Sequence, residues 1–311
     1  MTSLILMGES LCRSDPRVSL HLTVPNAPAS VRAWVERRPQ VALTTTRPDG
    51  VSGWNVKPSL LLQELSAGRH EALWLDTDII VTRPVSSLLD EFPADALIVA
   101  DEWRKGQRSV SRFWGLPSAR ALPVFNDCIV RATQAHRPLL ERWLQMLHDP
   151  RYREAQALPF DQRQIHLSHD GWLLIALLES EEFGQLRFEC IRLGRHIAQC
   201  AGSSGYRPHH RLLDLFRGLP PLIHGLGRKP WETTDGRGRM RTYLLDLATD
   251  VSPYVLAAHS VARDLEMAPK WLESRTSLGA AFRLLTAKHP GMAGLPLAIL
   301  HAFHMRSWEF L

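Results

Sequence analysis

Apolar and polar positions along the first two thirds of the chain predict strands and helices in turn. Segments with short apolar or alternating runs predict strands: "SLILMG", "VSLHLTV", "VALTTT", "EALWLDTD", "DALIVADE" and "PVFNDCIVRA". Segments with helical spacing lie between and after them: "APASVRAWVERRP", "KPSLLLQELSAG", "AHRPLLERWLQMLHD" and "SHDGWLLIALLESEEFG", the last with Gly184 as its expected end. This order predicts an α/β fold with a mostly parallel central sheet and flanking helices.

The pattern changes towards the C-terminus. The stretch from Cys200 to Pro221 is rich in Gly, Pro, Ser, Arg and His, and it predicts loops around one short helix at "HRLLDLFRG". After Trp231, "TDGRGRMR" is polar and glycine-rich, which is typical of a linker, and the pattern beyond it is helical. We therefore expect one domain over residues 1–239 and a C-terminal helical region over residues 240–311 that packs on it.

Composition narrows the class of protein. The chain has 311 residues, of which 45% are hydrophobic and 22% charged, as in an ordinary globular protein. A net charge of +5 weakly favours anionic ligands. Since no zinc-ligand spacing or RNP-like aromatic motif accompanies the basic residues, we expect no nucleic-acid partner.

Targeting signals point to the cytoplasm. The four cysteines form no C-x-x-C pair, which indicates reduced thiols. The N-terminal apolar stretch has no basic residue before it and makes a poor signal peptide. The apolar runs are shorter than the roughly 18 to 20 residues that span a bilayer. The expected protein is soluble and has no transmembrane segment, while the C-terminal "LPLAILHAFHMRSWEFL" leaves a peripheral membrane contact open.

Two carboxylates interrupt the apolar run "ALWLDTDIIV". In an α/β sheet, binding sites lie just beyond the carboxyl ends of the strands, and Asp76 and Asp78 fall at such an end. Side chains two positions apart on an extended segment point the same way, so both carboxylates can bind one hard cation. The alternative is that they cap the following turn or pair with Arg83.

Four further segments follow the same order as in a known family. These are "GWNVKPSLLLQEL" before the aspartates, then "PVFNDCIVRATQAHRPLLERW", "SHDGWLLIALL" and "PLIHGLGRKPW" after them. Together they resemble the glycogenin and bacterial lipopolysaccharide galactosyltransferase group, over about Val18 to Trp231. That group consists of retaining glycosyltransferases of the GT-A fold, which use nucleotide-diphosphate sugars.

The resemblance implies a metal and diphosphate site. Asp76 and Asp78 match the family's D-x-D, which holds Mn²⁺ on the diphosphate of the donor. His224 in "IHGLGRKPW" matches the third metal ligand, and Gly227 and Lys229 match contacts to the diphosphate. Two carboxylates and an imidazole independently suit Mn²⁺ or Mg²⁺, with the imidazole favouring manganese. A histidine such as His224, taken alone, is more often a loop residue, and the G-x-K-P-W motif that follows favours the role of a ligand.

The resemblance also implies residues at the sugar end. Lys57 matches a basic residue that faces the donor, Asn126 a residue near the donor sugar, and Asp170 a contact to sugar hydroxyls. Because the Gly-to-Lys spacing is one residue shorter than the family pattern, Arg228 could take part of the role of the lysine. Lys57 could also be a solvated lysine at a helix start, and Asp170 could merely cap the helix that it precedes.

The chain departs from the family pattern around the sugar. Asp127 and Cys128 stand where the family has a small residue and a glycine, and Gly171 and Trp172 replace a glutamine and a second aspartate. The expected function is metal-dependent transfer of a hexose from a nucleotide-diphosphate sugar, UDP-linked, to a hydroxyl acceptor with retention. A family member that binds nucleotide sugars without transfer, and a nucleotidyltransferase, are the alternatives. No G-x-S-x-G or phosphate-binding loop motif supports a hydrolase or an NTPase.

Overall fold

The computed structural model describes residues 1–48, 55–102, 110–201, 205–226, 239–265 and 272–308. The strands in these ranges are β1 (Leu20–Thr23), β2 (Val41–Thr44), β3 (Glu71–Leu75), β4 (Ile79–Val81), β5 (Leu97–Asp101), β6 (Phe125–Thr133), β7 (Phe188–Ile191), β8 (Ile197–Cys200) and β9 (Leu222–Gly225). The helices are α1 (Thr2–Ser14), α2 (Ala29–Glu36), α3 (Lys57–Ser66), α4 (Val85–Leu89), α5 (Val110–Phe113), α6 (Arg137–Leu147), α7 (Pro150–Gln156), α8 (Gly171–Glu179), α9 (Pro208–Arg217), α10 (Arg239–Asp250), α11 (Pro253–Asp264), α12 (Ser277–Leu285) and α13 (Leu295–Trp308).

The strands form three sheets. The largest has the order β3-β6-β5-β7, with β6 antiparallel to both of its neighbours and β7 parallel to β5. A second sheet has the order β4-β9-β8, with β4 antiparallel and β8 parallel to β9. β1 and β2 form a parallel pair. The predicted α/β class is confirmed. The expectation of a mostly parallel central sheet is wrong, because two of the three strand pairs in the largest sheet are antiparallel and residue periodicity does not reveal strand direction.

The first predicted strand is wrong. "SLILMG" lies in the helix α1, whose residues from Ile5 to Cys12 are all buried. A short apolar run fits a buried helix as well as a buried strand. The length of the element distinguishes the two, but the sequence did not show where this element ends. Glu9 is buried in the same helix, and its carboxylate accepts hydrogen bonds from Trp34, Arg38 and Arg13, which compensate its burial.

Helix α8 ends at Glu179, before the expected end at Gly184. Ser180 takes extended backbone with ψ 159° and forms a bridge with Ser118, so the chain leaves the helix there. The buried carboxylate of Glu179 accepts hydrogen bonds from the backbone N–H groups of Val110 and Ser111. The first N–H groups of a helix have no acceptor within the helix, and these bonds supply one to two of them at the start of α5.

Two hydrophobic clusters cover the two larger sheets. Under the four-stranded sheet, α3, α6 and α8 contribute Leu61, Trp143 and Leu174. Under the three-stranded sheet, Ile80 and Ile223 pack with Tyr254 of α11. Helix α11 therefore packs directly against the strands that carry the candidate site, while the division at residue 239 stays a prediction. None of the helices in the described ranges combines the length and hydrophobicity needed to cross a membrane.

Candidate functional site

Asp76 and Asp78 lie in a tight turn between β3 and β4. The backbone N–H of Ile79 donates to the carbonyl of Asp76 at 3.1 Å, which closes the turn, and the N–H of Asp76 donates to the carbonyl of Cys128 on β6 at 2.8 Å. The sequence predicted that both side chains would converge from an extended strand. A turn brings them together instead, because the chain passes here from one sheet to another.

His224 lies directly beside this turn. It belongs to β9, where it pairs in register with Ile79, the residue after Asp78. The N–H of Gly225 donates to the carbonyl of Asp78 at 2.9 Å, which ties the turn to β9. His224 Nε2 lies 3.2 Å from Asp78 Oδ1, and His224 is only 3% exposed. The histidine is thus a fixed strand residue, and the loop alternative does not hold.

The three side chains fit a divalent cation. One ligand atom each from Asp76, Asp78 and His224 lie within 4.8 Å of one another. Burial raises the pKa of Asp76 above its ordinary value, the Lys57 ammonium offsets part of that rise, and the Asp78 carboxylate adds to it. Burial would lower the pKa of His224, but contacts with Cys128 and Asp78 raise it well above its usual value. A cation would relieve the repulsion between the carboxylates and take the place of the imidazolium proton.

Two side chains near this turn, Arg83 and Trp74, donate hydrogen bonds that bear on the alternative roles of the aspartates. Arg83 donates through its guanidinium to the carbonyl of Leu219. Trp74 Nε1 donates to Asp76 Oδ1 at 2.6 Å, which holds that carboxylate by one oxygen. Asp76 therefore keeps its second oxygen for another ligand.

Lys57 connects the aspartate turn to a second group of acids. The lysine is the first residue of α3 and is 2% exposed. Its Nζ donates to Asp127 Oδ2 at 2.6 Å and lies 3.6 Å from Asp170 Oδ1 and 3.7 Å from Asp76 Oδ1. Burial alone would lower the pKa of Lys57, but Asp127, Asp170 and Asp76 hold it well above its usual value. The lysine is therefore a buried ammonium, not the solvated side chain that the sequence left open.

The pKa values of the two acids beside Lys57 shift in opposite directions. Burial would raise the pKa of Asp127, but Lys57 and then His169 bring it below its ordinary value, which favours the ionised form. Burial, followed by the charge of Asp127, raises the pKa of Asp170 well above its ordinary value, which favours the neutral acid. Asp170 is the N-cap residue of α8, yet its side chain makes no capping hydrogen bond. Its carboxyl group faces Asp127 and Lys57, and the capping alternative does not hold.

Asp127 is the residue of this site that sequence reasoning did not select. The register between β5 and β6 shifts here: Val99 pairs with Val130 but Ala100 with Asn126, so Asp127, Cys128 and Ile129 have no partner in β5. Such a bulge re-aims side chains, and it turns Asp127 towards Lys57.

Gly171 provides the space for Asp127. A Cβ atom at Gly171 would lie 2.8 Å from Asp127 Oδ1 and 2.9 Å from its Cγ. The two departures from the family pattern, at positions 127 and 171, therefore compensate each other in volume. That pairing of a larger and a smaller residue was the one signal in the sequence that could have identified Asp127.

The remaining predicted residues divide into two groups. Asn126 lies at the bulge, where its Nδ2 donates to Glu102 at 2.9 Å and its Oδ1 accepts from the N–H of Cys128 at 2.9 Å. Its side chain thus stabilises the bulge beside the site. Gly227, Arg228 and Lys229 lie outside the described residues.

Comparisons with known proteins give structural matches only. No protein-family model matches the chain, and no curated protein sequence matches it. Among solved structures, the chain is similar to the galactosyltransferase LgtC in complex with donor and acceptor sugar analogues, at 16% identity over 78% of this chain and 90% of that one, with a TM-score of 0.45. The glycosyltransferase GlyE of Streptococcus pneumoniae TIGR4 is similar at 13% identity over 89% of this chain and 63% of that one, with a TM-score of 0.44.

A mammalian protein is also among these structures. Mouse xyloside xylosyltransferase 1 is similar at 16% identity over 72% of this chain and 91% of that one, with a TM-score of 0.39. The three structures named here are glycosyltransferases.

Proposed function

We propose that this protein is a metal-dependent glycosyltransferase that moves a hexose from a nucleotide-diphosphate sugar, UDP-linked, to a hydroxyl acceptor. The observation that carries the proposal is the convergence of Asp76, Asp78 and His224 within 4.8 Å, from a turn and a strand far apart in sequence. A Mn²⁺ or Mg²⁺ ion bound there would neutralise the charge that develops on the departing diphosphate.

The residues around that site would bind the donor. Asp76 and Asp78 offer carboxylate oxygens and His224 an imidazole nitrogen, which is a ligand set suited to manganese. By resemblance, Gly227, Lys229 and Arg228 would donate to the diphosphate oxygens. Lys57, fixed as an ammonium among three carboxyl groups, supplies a permanent positive charge next to Asp76.

The acids beside Lys57 would bind the transferred sugar. As a neutral acid, Asp170 can donate a hydrogen bond to one sugar hydroxyl and accept another, whereas the ionised Asp127 can only accept. Asn126 would act through the bulge that carries Asp127. By resemblance the anomeric configuration is retained, with the acceptor hydroxyl attacking from the side of the leaving group and a leaving phosphate oxygen accepting its proton.

Release of nucleoside diphosphate tests the proposal. The purified protein is incubated with UDP-hexoses and Mn²⁺, and free UDP is measured with and without a chelator. We expect metal-dependent release of UDP that Asp78→Ala abolishes. Asp95→Ala is the matched control, because Asp95 is an aspartate with 72% of its side chain exposed. UDP-sugar binding without UDP release would support the binding protein, and release of pyrophosphate from a nucleoside triphosphate would support the nucleotidyltransferase. Either result contradicts glycosyl transfer.

A further inference from the structure

Helix α9 has its charged residues inside and its apolar residues outside. Arg211 is 0% and Asp214 5% exposed, whereas Phe216 is 87% and Leu212 47% exposed. Leu213 and Leu215 are exposed as well. Single exposed apolar side chains are ordinary, but four of them on one ten-residue helix form an apolar face in contact with solvent.

The buried polar residues fix α9 in this orientation. Arg211 donates through Nε to the carbonyl of Tyr206 at 2.9 Å and through Nη1 to the carbonyl of Gly291 at 3.1 Å. The hydroxyl of Tyr206 donates to Asp214 Oδ2 at 2.5 Å. Rotating the helix to bury its leucines would leave these buried polar groups without partners, at a cost of several kcal/mol. The buried hydrogen bonds therefore hold the apolar face of α9 towards solvent.

Positive charge borders this face. Arg207 is exposed at the N-terminal end of α9, and Arg217 is exposed at its C-terminal end. Arg83, also exposed, donates to the carbonyl of Leu219 just beyond the helix. The acidic residue of the helix, Asp214, is buried. An apolar face with arginines at both ends is typical of helices that lie in the surface of an anionic membrane.

We propose that α9 docks on the surface of an anionic lipid bilayer, with Phe216 and the three leucines inserted among the lipids and the arginines against the lipid phosphates. A second copy of this chain fits less well, because two such faces would bring Arg207 and Arg217 against the same positive residues. The helix is followed in the chain by β9, which carries His224. Docking itself does not depend on the proposed glycosyl transfer.

Vesicle binding tests docking directly. The full-length protein is sedimented with vesicles made of equal parts phosphatidylglycerol and phosphatidylcholine, or of phosphatidylcholine alone, without nucleotide or metal. We expect binding to the anionic vesicles that weakens in neutral vesicles and at high salt. The double variant Leu212→Ser/Phe216→Ser should bind at least about tenfold more weakly, given the area of apolar surface that these side chains bury. Phe160→Ser is the matched control, since Phe160 is 59% exposed on a different segment.

A second variant separates charge from hydrophobicity. Arg207→Glu/Arg217→Glu keeps the apolar face and should lose the preference for anionic vesicles. Light scattering of the wild-type protein in solution measures its oligomeric state and so tests the alternative, in which a second copy of this chain covers the apolar face. Absence of binding to anionic vesicles, or equal binding by Leu212→Ser/Phe216→Ser and the wild type, would overturn the proposal. A wild-type dimer that the same double variant dissociates would overturn it in favour of self-association.

Discussion

Lys57 and Asp127 are 70 residues apart in sequence and joined by a hydrogen bond of 2.6 Å between two nearly inaccessible side chains. The ammonium has Asp127 as its hydrogen-bond partner and lies 3.6 Å from Asp170. This arrangement concentrates one positive charge and several acids beside the aspartate turn. It also lowers the pKa of Asp127 and raises that of Asp170, and the first prediction follows from that difference.

The same substitution should have unequal effects on stability at the two acids. Asp127→Asn removes the charge that compensates a buried ammonium, and we expect it to lower the free energy of unfolding by about 3 kcal/mol. Asp170→Asn replaces a neutral acid by a neutral amide of the same shape, and the free energy of unfolding should change by less than about 1 kcal/mol. Urea unfolding of both variants at neutral pH measures the difference. Equal losses at the two positions would contradict the assigned charges.

Metal affinity should depend on Asp78. Titration of the wild-type protein with Mn²⁺, followed by the paramagnetic resonance of the free ion, is expected to show one site. Since Asp78 supplies one of three ligands, Asp78→Ala should weaken binding by more than the ~10- to 100-fold that loss of an outer partner of a metal ligand typically costs. The exposed Asp95 again provides the control. Manganese binding that survives Asp78→Ala unchanged would rule out the turn as the metal site.

Acid should destabilise the packing of α1 on α2 through Glu9. Burial would raise the pKa of this carboxylate, but hydrogen bonds from Arg38, Trp34 and Arg13 bring it below the ordinary value of 4.5. A lowered pKa in the folded state contributes stability above the unfolded pKa, and this contribution is lost as the pH falls through the folded pKa. Glu9→Gln should therefore lower the free energy of unfolding at pH 7 and weaken its pH dependence below pH 4.5. A series of urea unfolding curves across this range gives both quantities, and an unchanged pH dependence would exclude Glu9 as a contributor.

The sequence predicted that Asp76, Asp78 and His224 lie together, but it did not predict the contact between Lys57 and Asp127. Asp76, Asp78 and His224 were selected because their residue types suit a metal ligand set and match a motif. Their spacing alone did not show that a turn brings the two aspartates together. The contact between Lys57 and Asp127 could not be predicted, since it depends on a bulge in β6 that local residue preferences do not reveal. The sequence identifies the residue types, whereas the pKa shifts of Lys57, Asp127 and Asp170 depend on burial and on neighbours that only the folded structure brings together.

The fold shows a similar division. Five predicted strands match β1, β2, β3, β5 and β6, whereas β4, β7, β8 and β9 were not predicted. Helix α1 was mistaken for a strand because "SLILMG" is apolar at nearly every position. The outward apolar face of α9 could not be anticipated either, because a helical pattern shows that two faces differ but not which of them packs inward.

The close contact between Asp127 and Gly171 has a consequence for how this chain tolerates change. A methyl group at Gly171 would collide with the Asp127 carboxylate, whose other oxygen is held by Lys57. Gly171→Ala should therefore be destabilising alone and much less so together with Asp127→Ser, so that the two effects are not additive in a double-mutant cycle. The two positions would therefore limit each other in mutation, because a larger residue at position 171 requires a smaller one at position 127.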